Sequence, residues 1–382
     1  MKVLVLGCGN IGSVAAEDLA KHLKSAEIVV ADKDLTKAKA VAERIKRTNV
    51  TWLQLDSANP NALANALKNF DLVMGFLPGN LGYYLVDACI NAGKNLVDVS
   101  FMAENPLTLH EKAVKANIVA IPDCGLAPGI SNVLVGHAVK TLDKVFAIHI
   151  FVGGLPEKPV PPLGYVITWS PASLIDEYTR ASRIVKAGRI VEAETLSGLE
   201  ELDFPEVGKL EAFYTDGLRT LLETISGVKE MWEKTLRYPG HAEKIGLLKT
   251  LGFFDENRIH FEGVDASPRG LTVRLLEQKL WKPEVKDIVV LKVEVSGFKS
   301  DKRVRFIYNL LDRFDEKNRI TAMARTTAYP ASIVACSILE NRVQEKGVVP
   351  PEKLGMNDSL FKIFCSELKK RGVKIREEIF EE

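Results

Sequence analysis

Little in this sequence would commit it to a membrane, an oxidising compartment or a polyanion. No run approaches the roughly 18 uninterrupted apolar residues that a spanning helix needs, so no membrane partner is expected. Neither sign of charge is in excess. The 51 Lys and Arg against 50 Asp and Glu leave a formal +1, which gives nucleic acid no electrostatic footprint. Five cysteines (Cys8, Cys89, Cys124, Cys336, Cys365) are scattered, with no C-x-x-C and no histidine at zinc spacing. Neither a disulfide framework nor a metal site is expected from them. The first strand pattern begins at Lys2, leaving no space for a secretory leader, so a cytoplasmic location is expected. Internal repeats and low-complexity tracts are also missing.

What is present is an ordinary packing composition, 46% apolar and 26% charged, over 382 residues. That length exceeds what one core usually serves, so two domains are expected. In the first third, apolar strand patterns at 3–6, 27–31, 50–53, 71–75 and 95–99 alternate with helical patterns at 11–23, 35–45, 61–67 and 81–92. This alternation predicts a parallel sheet covered on both faces.

The first unit contains Gly7-Cys8-Gly9-Asn10-Ile11-Gly12, a G-x-G-x-x-G that follows a strand, opens a helix and has an acid, Asp32, 20 positions beyond Gly12. A tight turn at Gly7, a bare backbone at Gly9 and close helix packing at Gly12 suit a pyrophosphate at the helix N-terminus. Asp32 at the second strand end would accept from ribose hydroxyls and repel a 2′-phosphate, favouring NAD over NADP, although neighbouring Lys33 softens the preference. The alternative reading of Asp32 is a solvated strand-end charge. Because ligands bind outside the carboxyl ends of such strands, Asp56 and Ser57, the Phe76-Leu77-Pro78-Gly79-Asn80 stretch, and Ser100 with Phe101 are further cofactor candidates. Each could also be an ordinary loop residue, and Asn80 a helix N-cap.

After residue 121 the pattern changes. The Pro- and Gly-dense stretch 122–129 reads as a hinge. Longer strands are expected at 145–152, 164–169, 288–298 and 304–312, with helices near 172–178, 242–251 and 269–280, giving a second α+β domain with an open mixed sheet. A helical tail pattern at 321–341 would return to the first domain. The expected division is 1–125 plus a returning helix at about 322–345 for the Rossmann domain, 126–321 for the second domain and 346–382 as a C-terminal segment. His22, His110 and His149 read as structural. Arg237, Tyr238 and His241 crowd a Pro-Gly turn and offer a planar fork, a neutral donor and a titratable group suited to a carboxylate. The alternative is a cluster that caps a helix and pairs with acids.

Motifs spread along the chain carry a resemblance: G-C-G-N-I-G at 7–12, D-V-S-F-M at 98–102, D-C-G-L-A-P-G-I at 123–130, G-G-L-P at 153–156, G-Y-V-I-T-W-S-P at 164–171, Y-T-D-G-L-R at 214–219, T-L-R-Y-P-G-H at 235–241 and M-A-R-T-T-A-Y-P-A at 323–331. The chain resembles the saccharopine dehydrogenase superfamily, most closely its lysine 6-dehydrogenase branch. The resemblance implies a Rossmann domain plus a substrate domain, an active site in the cleft between them, and oxidation of a C–N bond at the ε-carbon of L-lysine with NAD as hydride acceptor. Saccharopine-forming members carry Asp in a G-L-D-P-G motif where this chain has Ala127, which implies a smaller substrate.

On this reading Arg237, helped by Tyr238 or His241, takes the α-carboxylate, and Asp123 with Leu126 joins the nicotinamide contacts. His241 is the first base candidate and Asp123 the second. The imine formed would hydrolyse to a semialdehyde and ammonia. Alternatives are a saccharopine reductase or related carboxyalkyl-amine dehydrogenase and, outside enzymes, an NAD-sensing regulatory protein. A homodimer is expected on base rates.

Overall fold

The computed structural model describes residues 1–381, and the chain divides into two compact units. The first comprises Met1–Leu142 and Ala324–Ile375, the second Asp143–Met323 and residues 376–381.

The first unit opens with β1 (Lys2–Leu6), α1 (Asn10–His22), β2 (Glu27–Asp32), α2 (Leu35–Ile45), β3 (Val50–Gln54), α3 (Pro60–Leu67), β4 (Leu72–Gly75), α4 (Gly79–Asn91), β5 (Asn95–Asp98), α5 (His110–Lys115), β6 (Val119–Ile121) and α6 (Ile130–Thr141). Residues in β1, β4 and β6 are almost wholly apolar and buried, as strands covered on both faces must be. Helix starts follow local capping chemistry. Asp34 accepts from the Thr36 and Lys37 amides ahead of α2, and Asn59 accepts from Asn61 and Ala62 ahead of α3, where Pro60 occupies the first turn.

The second unit continues with β7 (Lys144–Pro156), α7 (Pro171–Thr179), β8 (Ser182–Lys186), β9 (Arg189–Ala193), β10 (Glu200–Phe204), β11 (Gly208–Tyr214), α8 (Leu221–Thr224), β12 (Glu230–Arg237), α9 (His241–Thr250), β13 (Ile259–Phe261), β14 (Val264–Ala266), α10 (Pro268–Leu280), β15 (Asp287–Lys299) and β16 (Lys302–Arg313). The chain then returns through α11 (Ala322–Leu339), β17 (Gly347–Val348), α12 (Pro351–Met356), α13 (Asp358–Lys370) and β18 (Ile375–Glu381).

In the first sheet the order is β17-β6-β5-β4-β1-β2-β3 and every pairing is parallel. The order reverses beside β1, so the loops after β1 and β4 flank the switch point where such sheets take ligands. Helix α6 belongs to this first unit, so the division falls after Leu142, later than the Pro/Gly-dense stretch suggested. The reason is packing. Gly136 lies so close to Glu352 that a Cβ would sit 2.0 Å from its carbonyl oxygen, and Gly355 approaches Val133 in the same way at 1.9 Å. These glycines bind α6 to α12.

In the second sheet the path is β10-β11-β12-β7-β15-β16-β18, with β8 and β9 attached beside β12. β12 runs parallel to β7, while β11–β12 and β15–β7 are antiparallel, so the sheet is mixed. Residues 164–169 are not a strand, although they are apolar. They follow Pro161 and Pro162, start from Gly164 at φ +67°, and are buried in sequence without a ladder partner. Tyr165, Ile167 and Leu163 instead join a core with Tyr178, Phe213 and Ile245.

Candidate active site

The glycine loop turns where sterics require it. Gly7 has φ +100°, and a Cβ there would lie 2.4 Å from the Phe76 carbonyl oxygen; at Gly12 it would lie 2.0 Å from the Gly7 carbonyl oxygen. Gly9 differs, with no heavy atom within 4 Å of where its Cβ would stand. Asn10 and Ile11 begin α1, whose N-terminus carries neither a side-chain cap nor an acid in its first turn. Bare backbone, open space and an uncapped helix end together form a cradle that a pyrophosphate fits.

The Asp32 carboxylate is held from two directions, by the Cys8 amide on Oδ2 and the Asp34 amide on Oδ1, both at 2.9 Å. Lys33 is exposed and its carbonyl accepts from Gln54 Nε2. The remaining sequence candidates of this unit all follow carboxyl ends of its strands. Asp56 accepts from the Ala58 amide and is exposed, whereas Ser57 is buried. Phe76 and Leu77 are half-buried, and Pro78 precedes α4. Asn80 is an exposed residue inside α4, so it is not the cap of that helix. Ser100, Asp123 and Leu126 are buried, and Phe101 is half-buried.

Asp98, the last residue of β5, was not singled out from sequence. Its carboxyl is fully buried; Oδ1 accepts from the Ser100 amide at 2.9 Å and from the Ser100 hydroxyl, while Oδ2 has no hydrogen-bond partner. Burial pushes this carboxyl up to about 7, the charge of Asp123 adds to the rise, and the Ser100 bonds oppose it. Asp123 sits beyond β6 with φ +54°, and the Cys124 amide donates to the Asp98 carbonyl. An acid at a strand end within D-V-S-F-M was the signal available.

The second unit gathers Arg237, Tyr238 and His241, but differently from the expected turn. Arg237 ends β12, Pro239 and Gly240 turn, and His241 is the first residue of α9. All three have internal partners. Arg237 is 3% exposed; its Nη2 donates to both Glu177 oxygens at 3.0 and 3.1 Å, Nη1 to the Leu236 carbonyl at 2.9 Å and Nε to the Tyr178 hydroxyl at 3.4 Å. Tyr165 covers the guanidinium at 4.7 Å. Burial works against its charge, yet Glu177 and the two phenols hold it charged. Tyr238 donates to the Pro156 and Glu157 carbonyls.

His241 lies between the Leu163 carbonyl on Nδ1, at 2.9 Å, and the Tyr178 hydroxyl on Nε2, at 2.8 Å. A neutral ring satisfies both, with Nδ1–H donating and Nε2 accepting. Burial, reinforced by Arg237, pushes it down to about 3. In this conformation the carboxylate on Arg237 is that of Glu177, and His241 is a weak acceptor already engaged by Tyr178.

The same network continues inward. Thr235 Oγ1 donates to Glu177 at 2.7 Å, Thr215 and Thr235 hydroxyls meet at 2.9 Å, and Thr215 lies 3.3 Å from Glu233 Oε1. Two hydroxyl protons cannot serve three contacts in a row. The row closes when Glu233 is a carboxylic acid that donates to Thr215. Burial, with the Glu177 charge behind it, pushes Glu233 up to about 8, in agreement with that count. Glu177, Tyr178, Thr215 and Glu233 were not singled out from sequence: Glu177 and Tyr178 fall at the end of the helix expected at 172–178, Thr215 lies in Y-T-D-G-L-R, and only packing brings them together around Arg237.

Comparison with known proteins agrees with this two-part architecture. Residues 3–121 match the Saccharopine dehydrogenase NADP binding domain and residues 125–373 the Saccharopine dehydrogenase C-terminal domain. The NADP(+)-dependent, L-glutamate-forming saccharopine dehydrogenase of Schizosaccharomyces pombe is 24% identical over 100% of this chain and 99% of its own length. The carboxyaminopropylagmatine dehydrogenase of Synechocystis is 22% identical over 95% of each chain. The solved apo saccharopine dehydrogenase (L-Glu forming) of Saccharomyces cerevisiae superposes with a TM-score of 0.79 at 20% identity, covering 99% of both chains, and so shares the fold. With a pyridine-nucleotide cradle in one unit and a mixed-sheet unit matched from end to end, the chain belongs to the saccharopine dehydrogenase family.

Proposed function

We propose that the protein oxidises a primary amine with a pyridine nucleotide, and that the amine is the ε-amino group of L-lysine, giving a 6-semialdehyde that cyclises to the piperideine carboxylate, and ammonia. The observation that carries the choice of substrate is Ala127. A methyl group stands there in place of the carboxylate of the G-L-D-P-G form, and saccharopine's extra dicarboxylate limb demands more polar anchoring than lysine does. When bound, the nicotinamide supplies hydride acceptance.

The protein's own residues have narrower tasks. Gly7, Gly9 and Gly12 shape the phosphate cradle, and Asp32, held from two sides, supports NAD over NADP because a fixed carboxylate repels a 2′-phosphate. The Schizosaccharomyces pombe relative and the matched domain are named for NADP, so this is a preference to be measured. Arg237 and His241 contribute rigidity to the second unit in the conformation described. A role for them in holding the substrate carboxylate would require the Glu177 contact to open. A homodimer is taken as the working unit, the commonest oligomer.

A second reading, a dehydrogenase of a larger carboxyalkyl amine, has its own support. The relatives named above act on such compounds by name. In addition, burial followed by the nearby charge of Arg219 lowers Arg180, and Arg183 adds to that repulsion. Asp176 and Asp216 stand among these arginines, Asp216 paired with Arg183, so an additional carboxylate would compete with them for the guanidinium groups.

The deciding experiment is NADH or NADPH formation by the purified protein with L-lysine, saccharopine or L-ornithine from neutral to alkaline pH. Turnover with lysine and NAD, with ammonia released, is the expected result. Turnover only with saccharopine would transfer the argument to the arginines. NAD binding with no amine oxidised would make the protein a nucleotide sensor.

A further inference from the structure

Oxidation of an amine has a requirement that the nucleotide cannot meet. The nitrogen must first lose a proton, because only a neutral amine has the lone pair that expels a hydride. Free lysine holds that proton with a pKa near ~10.4. Of the two base candidates read from sequence, His241 is committed to Leu163 and Tyr178 in the second unit. Asp98 was in neither role, yet its carboxyl is fully buried, carries one oxygen without a hydrogen-bond partner and is joined to the Ser100 hydroxyl.

The place is built tightly around these two groups. A Cβ on Gly75 of β4 would stand 2.0 Å from Asp98 Oδ2, and one on Gly82 of α4 would stand 2.0 Å from Ser100 Oγ. The dyad lies at the carboxyl end of β5, the edge of the sheet that carries the glycine loop after β1. The groups facing Asp98 are Asp123 and the Cys124 thiol from beyond β6, and the Cys89 thiol from α4. Among the described residues no cation pairs with it, so Asp98 is a buried acid whose charge nothing neutralises.

We propose that Asp98, acting through the Ser100 hydroxyl, takes up the proton that the substrate amine must lose before its carbon is oxidised. The inference rests on the amine-oxidising reading. In the step, the ammonium N–H bond breaks as its proton passes to Ser100 Oγ, and the serine's own hydroxyl proton passes to Asp98 Oδ1. A neutral amine, an unchanged serine and a protonated Asp98 result, and no electrons change owner. In this relay Ser100, buried beneath α4 in the structure, is the group that would meet the substrate once the site admits it, and Asp98 is a positioning residue and proton store behind it. An ordinary structural aspartate would have a cation or several amide donors around it, whereas Asp98 spends its one bonded oxygen wholly on Ser100.

Two measurements test the relay on Asp98→Asn and Ser100→Ala, with an unchanged far-ultraviolet circular dichroism spectrum and cooperative melting as the folding control. The first uses no substrate: in infrared spectra of the wild type, a carboxylic-acid C=O band titrates near pH 7 and is lost in D98N. The second is the pH profile of kcat with lysine. Each variant loses roughly 100-fold or more at neutral pH, the usual scale of general acid–base help. The deficit shrinks toward pH ~10.4, where solvent deprotonates the amine unaided. A deficit equal at every pH, or a wild-type spectrum with no such band, overturns the relay and leaves the amine-oxidising reading in place. A wild type that oxidises no amine removes that reading and the relay with it.

Discussion

The two units bury carboxyl groups in opposite ways. In the second, Glu177 is answered by the charge of Arg237, and Glu233, with Thr215 on Oε1 and no hydrogen-bond partner on Oε2, is neutralised by its own proton. In the first, Asp98 has a serine and a second acid nearby and no cation. A closed network of the former kind rigidifies a core. A charge left without a partner costs free energy and persists only where something else is gained. The comparison separates two sets of polar residues that look alike in sequence: T-L-R-Y-P-G-H is spent on internal contacts in this conformation, and D-V-S-F-M carries the proposed proton acceptor.

The largest expected effect tests the closed network. Arg237→Ala leaves Glu177 buried and unpaired, at a cost of about 3–5 kcal/mol, read as a large fall in melting temperature. Arg237→Lys recovers little of it, because a point charge cannot meet both carboxylate oxygens and Tyr178 together. If Arg237→Ala melted like the wild type and lost only lysine affinity, Arg237 would belong with the substrate after all.

Next in size is Gly12→Ala. A Cβ 2.0 Å from the Gly7 carbonyl oxygen forces helix and loop apart, so NADH affinity should fall at least about tenfold, measured by fluorescence titration, while the second unit keeps its protection in hydrogen exchange.

A smaller effect depends on pH. Glu233 titrates at about 8 in the fold against an ordinary 4.5, so the native protein holds a proton that the unfolded chain releases between those values. Stability therefore declines as pH rises through that window and has lost the full contribution above 8. Glu233→Gln, which imitates the acid and still donates to Thr215, should melt like the wild type near pH 5. By pH 9 it should be the more stable, by up to roughly 5 kcal/mol. His241 acts at the other end. Its depressed value means that stability falls as pH drops from 6.5 toward 3. The smallest change is Asp32→Asn, which should move the NAD:NADP preference several-fold toward NADP without altering the fold, checked by the ratio of the two affinities.

Much of the first unit was legible because its strands are uniformly apolar and its loops carry glycines whose spacing has one steric meaning. Asp32 and Ser100 could be placed at strand ends by counting. Asp98 was quoted within a motif but passed over, since burial and a missing partner are properties of packing. The second unit was harder to read. β12 holds Glu233, Lys234 and Arg237, charged residues that disguise a central strand, and they are paired only by helices and strands distant in sequence. The 164–169 segment erred in the opposite direction, an apolar run buried without a sheet. The Arg237 trio was recognised as a cluster, but sequence could not show that Glu177, 60 residues earlier, already occupies the guanidinium.

One feature of the chain order has a temporal consequence. The parallel sheet is completed only by Gly347–Val348, which bond to β6 through the Gly347 amide and the Ile118 carbonyl, and α11 brings Ser332 against Ala15 of α1. During synthesis, the edge of β6 and the face of α1 therefore wait, uncovered, while the whole of the second unit emerges from the ribosome. The nascent nucleotide-binding unit is an open-edged, aggregation-exposed intermediate through most of translation. Fragments that stop before residue 347 should behave as that intermediate does, so neither half of this protein is a natural module to express alone.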